Sequence, residues 1–205
     1  MQYGERLNTF THFGGALLAF GASIPLLARA LEANGGLGLF STGVYALSLV
    51  LMYACSSAYH AASGALKQAL RRFDHLSIYL LIAGSYTPFC LLVLTGRRGA
   101  ILLGLVWGLA LFGILQEIWR RAGIRVLSML VYLAMGWSAA SMLGPLHAGL
   151  GPAGFAWLVG GGIAYTAGIV FYVLDARLRH AHGIWHLFVL AGSVAHYVTI
   201  YCYVL

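Results

Sequence analysis

The chain has 205 residues, of which 61% are hydrophobic and 8% charged, with a formal net charge of +7. A soluble domain carries about a quarter charged residues, so this composition excludes a soluble α/β domain and a disordered chain alike. The positive charge does not mark a nucleic-acid binder. The basic residues stand singly or in small groups at the ends of apolar runs, and no basic stripe is interleaved with aromatics.

The apolar runs are roughly 18 to 22 residues long, enough to cross about 30 Å of hydrocarbon at 1.5 Å per residue. They predict an all-α membrane protein, a seven-transmembrane helix bundle forming a single domain over 1–205. The first helix spans 12–30. Leu27-Ala28-Arg29-Ala30 resembles a cleavage site, but the residues before the run lack a positive n-region, so the helix is read as retained. After Asn34-Gly35-Gly36 comes a second helix, 38–62, and after Ser63-Gly64 a third, 75–95, which Pro88 is expected to kink. The turn from Thr95 to Gly99 leads to helix 99–118. The charged segment Arg120 to Arg125 leads to helix 126–144, and His147 to Pro152 to helix 153–174. In that sixth helix Gly160, Ala164 and Gly168 form a small-residue row suited to close packing in lipid. Asp175 to His180 precedes the last helix, 183–204. Cys55, Cys90 and Cys202 lie inside apolar runs with no metal or redox spacing, and read as small packing residues.

The basic residues orient this array. Arg6, Lys67, Arg71, Arg72, Arg120, Arg121, Arg125, Arg177 and Arg179 fall on the N-terminal side. Only Arg29, Arg97 and Arg98 fall on the other. The positive-inside rule then places the N-terminus in the cytoplasm and the C-terminus outside.

Ionisable residues within spans are costly and are the default functional candidates. Here they converge. His12 opens helix one after Glu5 and Asn8, Ser56 and His60 close helix two, Asp74 and His75 open helix three, and His182 and His186 open helix seven. In the seven-helix scheme all of these ends face the cytoplasm. His182 and His186 are four apart and share a helix face, so they can bind one metal ion. His60 can supply a third imidazole, and three histidines with an open fourth position is the catalytic-zinc arrangement. Asp74 is placed to hold a metal-bound water or act as general base, and Ser56 lies one turn before His60 on the same face.

Blander readings stand beside these. A lone histidine near a helix end is usually an interfacial side chain, and His12, His75, His147 and His180 are read that way. A pair at helical spacing arises by chance. His196, about 21 Å beyond His182 along the helix, reads as a core hydrogen-bonding residue, and Asp175 as a solvated loop charge. Haem held by His60 and His186 is the competing cofactor, but it gives no role to Asp74 or to the spaced pair.

Glu5-Arg6-Leu7-Asn8-Thr9-Phe10-Thr11-His12, Ser56-Ser57-Ala58-Tyr59-His60, Asp74-His75 and His182-Gly183-Ile184-Trp185-His186 together resemble the hemolysin III family. That family is the bacterial branch of the progestin and adipoQ receptor group, within a superfamily that includes alkaline ceramidases. The resemblance covers essentially the whole chain. It implies zinc near the cytoplasmic face, with His60, His182 and His186 as ligands, Asp74 as the carboxylate holding the zinc-bound water, and Ser56 beside it. It also implies a multi-pass protein of the bacterial cytoplasmic membrane with membrane lipids as its partners, and it carries the labels of lipid homeostasis and cytolysis. Two functions fit these residues: a zinc-dependent hydrolase of a lipid amide or ester, and a receptor-like or membrane-state sensor with structural zinc. A proton-coupled transporter ranks below both, because the acidic residues form no chain across the bilayer.

Overall fold

The computed structural model describes residues 5–119 and 125–205; Arg120 and Arg121, used above for orientation, lie outside them. Among the described residues the protein is helical, without strands. Helix α1 runs Glu5–Ala61 and α2 Gly64–Pro88, with a π-helical turn at Phe89–Val93. Then come α3, Arg97–Trp119, and α4, Arg125–Trp137, with a 3-10 turn at Ser138–Met142. Helix α5 runs Leu143–Val173 and α6 Ala181–Thr199, ending in a π turn at Ile200–Val204. Among the described residues, five helical segments are long and apolar enough to cross a membrane.

A straight α1 of 57 residues would reach about 85 Å at 1.5 Å per residue. It does not stay straight. Gly35 adopts φ 58° and ψ −142°, a backbone conformation open essentially only to glycine, and the two arms fold back on one another. Gly38 lies against Ala30 and Asn34, and Gly43 against Leu27. The second hairpin is centred on Gly151 (φ 68°, ψ 172°), with Pro152 preset for the helix that follows. Across it, the Trp137 indole N–H donates to Thr166 Oγ1 at 3.2 Å. The expected breaks at Asn34-Gly35-Gly36 and His147 to Pro152 therefore fall on hairpin bends inside continuous helical stretches.

Two helix starts differ from the sequence reading, and α1 begins at Glu5, not at 12. Helix α2 begins at Gly64, not at 75, because residues 65–73 are mostly good helix formers and extend it past the apolar run. Lys67, Arg71 and Arg72 thus sit on a helix. The disturbance expected at Pro88 takes the form of the π turn that follows it.

Leu18, Phe20, Ile24, Phe40 and Ile163 are well exposed, a lipid-facing pattern for a chain so apolar. Inside, small residues admit neighbours. Gly154, Gly161 and Gly168 on α5 receive Tyr203, His196 and Phe188, while Gly160 meets nothing. The packing row is thus a seven-residue repeat that shares only Gly168 with the Gly160–Ala164–Gly168 row. Polar ties cross the interior. Tyr53 donates to Ser193 Oγ at 2.8 Å and Tyr197 to the Ala22 carbonyl at 3.0 Å. The Tyr86 hydroxyl meets the Met135 and Gly136 carbonyls at 2.8 and 2.7 Å, where α4 ends.

Candidate metal centre and its cavity

Three histidines close on one point. His60 ends the second arm of α1, and His182 and His186 occupy the first two turns of α6. Their ring centroids form a nearly equilateral triangle with sides of 5.0, 5.0 and 4.9 Å. One ligand nitrogen from each lies within 4.8 Å of the others, so the three could hold a metal ion.

The partners of these rings support that reading. A ligating histidine ordinarily gives its other nitrogen to a carboxylate or carbonyl, which fixes tautomer and orientation. His60 Nδ1 lies 2.6 Å from Glu5 Oε2; the carboxylate can only accept, so Nδ1 carries the proton and Nε2 keeps its lone pair. Glu5 is itself held by Lys67 Nζ at 2.7 Å and Asn8 Nδ2 at 2.9 Å. His186 Nδ1 lies 3.2 Å from the Asn8 carbonyl and 3.1 Å from Thr11 Oγ1. His182 Nδ1 lies 3.4 Å from Asp175 Oδ2. The Nε2 atoms of His60 and His186 are buried without a hydrogen-bond partner, the condition a bound cation relieves.

Asp74 and Ser56 are buried, at 8% and 2% exposure. Both face a cavity of about 470 Å³ that His182 also lines. From there the cavity runs between the helices past Ile82, Tyr86, Leu133, Leu158 and Ile169 to Leu94 and Phe155, near the opposite end of the bundle. Its deeper wall is mainly apolar, and its volume is that of a small-molecule site, which typically measures about 300–1,000 Å³.

The structure brings His60, His182 and His186 together, Asp74 and Ser56 line the cavity that His182 also reaches, and His196 packs against Gly161 and Tyr165. His147 and His180 are exposed, in keeping with the interfacial reading. Three residues depart from their expected places. His12 is enclosed at 2% exposure and stacks on His186 with centroids 3.5 Å apart. His75 pairs with Glu117 Oε1 at 2.9 Å, and Ser128 donates to the same carboxylate at 3.2 Å. Asp175, read as a loop charge, instead faces His182. Sequence reasoning missed the roles of Glu5, Lys67 and Glu117. For Glu5 and Glu117 the available signal was an acid near the edge of an apolar run, which does not reveal its partner, and for Lys67 there was only a basic residue beyond one.

Comparisons with known proteins agree with this architecture. The family model described as "Haemolysin-III related" matches residues 2–197. The chain is 40% identical to the hemolysin-3 homolog of Bacillus subtilis (strain 168), over 97% of this chain and 94% of that protein. It is 37% identical to hemolysin-3 of Bacillus cereus, over 98% and 92%. The human monocyte to macrophage differentiation factor is 29% identical over 78% of this chain and 68% of its own length. On the extent of these matches, the chain belongs to the haemolysin-III related family of membrane proteins.

Proposed function

We propose that this protein is a zinc-dependent hydrolase of the membrane interior that acts on a lipid amide or ester. The observation that carries the reading is that His182, one of the three clustered histidines, also lines a long, mainly apolar cavity whose wall includes Asp74 and Ser56. His60, His182 and His186 would hold the ion, with Glu5, Asp175 and the Asn8 carbonyl fixing their rings. Zinc in such a site lowers the pKa of water to near neutrality and polarises a carbonyl. The Asp74 carboxylate accepts a proton from the attacking water and returns it to the leaving group, and Ser56, on the same cavity wall, would orient that carboxylate. The apolar cavity takes the acyl chain and keeps water from it.

The same reading includes seven crossings. Counting the arms on each side of Gly35 and Gly151 separately gives seven helices, and the basic-residue asymmetry then sets the metal end in the cytoplasm of a bacterial cell. The test offers bacterial lipid extract to the detergent-purified protein and measures released fatty acid. The expected result is zinc-dependent release that falls about 100-fold or more in Asp74→Asn, with metal content and fold intact. Folded, zinc-loaded protein that releases nothing would falsify the hydrolase.

One observation favours a second reading, a membrane sensor with structural zinc. The site joins both arms of α1 to α2 and α6 through the chain Lys67–Glu5–His60 and the contacts of His186. A staple of that kind predicts that Asp74→Asn keeps full biological function, while removal of zinc lowers the melting temperature.

A further inference from the structure

His12 has no task in the mechanism above. It follows Asn8 by one turn on the first arm of α1, between the ring of His186 and the edge of Tyr53. Both of its ring nitrogens are buried and without a hydrogen-bond partner. Most buried polar groups find a partner, and an exception calls for a physical explanation. In a membrane interior the lack is costly, because bulk water cannot supply the partner.

The metal does not explain it. An imidazole lone pair lies in the ring plane, and the planes of His12 and His186 are within 11° of parallel with centroids 3.5 Å apart. An ion in the plane of His186 therefore lies out of the plane of His12. The rings of His60 and His182 are instead inclined to His186 by 66° and 63°, so three planes can meet at one point. What His12 does face is the cavity, which it lines together with Met52, Ser56, Asp74 and His182.

We propose that His12 is a ligand-contacting residue, hydrogen-bonding the polar end of an acyl amide whose chain occupies the cavity. This rests on the reading that a lipid enters there. A neutral imidazole offers one donor and one acceptor. An acyl amide complements either tautomer, because its carbonyl accepts and its N–H donates. A hydrocarbon complements neither. The contact selects for polar-ended chains and sets that end beside the three histidines.

The test measures binding of radiolabelled palmitamide and hexadecane to the full-length protein in detergent, for wild type, His12→Phe and His12→Asn. Phenylalanine keeps the stack on His186 but cannot hydrogen-bond, whereas asparagine restores a donor and an acceptor. The expected result for His12→Phe is unchanged metal content, unchanged hexadecane binding and palmitamide binding weakened about tenfold or more. His12→Asn recovers most of the difference. Four outcomes overturn the proposal: no palmitamide binding by wild type, equal binding by His12→Phe, equal weakening for both probes, or loss of metal in His12→Phe. A readout independent of the variants is the nitrogen NMR signal of His12 in labelled wild type. It shifts on addition of palmitamide if the contact forms, and an unmoved signal refutes it. The hydrolase is judged separately, since palmitamide that binds but is never cleaved rejects that reaction and leaves the His12 contact standing.

Discussion

Glu5 shows what a single side chain does here. Its carboxylate accepts from His60, Lys67 and Asn8 at 2.6, 2.7 and 2.9 Å, so it fixes the tautomer of His60 and joins the start of α1 to the start of α2. Glu5→Gln keeps the shape but removes the charge, and the amide can turn its NH2 toward His60. Zinc affinity is expected to fall about 10- to 100-fold, the usual cost of losing such a partner, as measured by competition with a chelator. An unchanged affinity would show that Glu5 serves only to hold Lys67. The histidines themselves were legible in the sequence because the i, i+4 spacing of His182 and His186 is a property of one helix. Their partners were not. Glu5 lies 55 residues before His60, and only the folding of α1 back on itself brings the two together. His12 was misread for a related reason. A histidine near a helix end reaches water unless a neighbour covers it, and here His186 does.

The elements depend on two glycine bends and on a row of close contacts. Nothing lies within 4 Å of a side-chain carbon placed at Gly151, so its role is conformational, set by φ 68° and ψ 172°. Gly151→Ala is expected to destabilise by roughly 1–3 kcal/mol, the cost of holding a non-glycine residue in that region, seen as a lower melting temperature. A neutral substitution would mean that the hairpin can bend elsewhere. Gly160 and Gly161 make a contrasting pair. Gly161→Ala would drive a methyl group into His196, whereas Gly160→Ala meets open space. Thermal melts should therefore show a loss of roughly 1–3 kcal/mol for the first and no loss for the second. Apolar run length and the Gly- and Pro-bearing breaks made most helices readable. The start of α2 and the packing row were not, since 65–73 is too polar to count as a span. The contact face of α5 depends on where Tyr203, His196 and Phe188 approach.

For the whole molecule, the proposed reading predicts the histidine cluster and the N-terminus at the cytoplasmic face and the C-terminus outside. Reporter fusions in cells check this directly. A reporter active only in the cytoplasm should work at the N-terminus and fail at the C-terminus, and activity at both would contradict an odd number of crossings. The bundle then reads as an apolar cavity with a polar, three-histidine end, enclosed by helices whose outward faces are leucine, isoleucine and phenylalanine. The claim on which the rest depends is the metal. Its test is elemental mass spectrometry on the detergent-purified protein, wild type beside His186→Ala. The account predicts about one zinc per chain in the wild type, as three histidine ligands imply, and almost none in the folded variant. Well-folded wild-type protein without metal would contradict it, and the cluster would then be a hydrogen-bonded packing network.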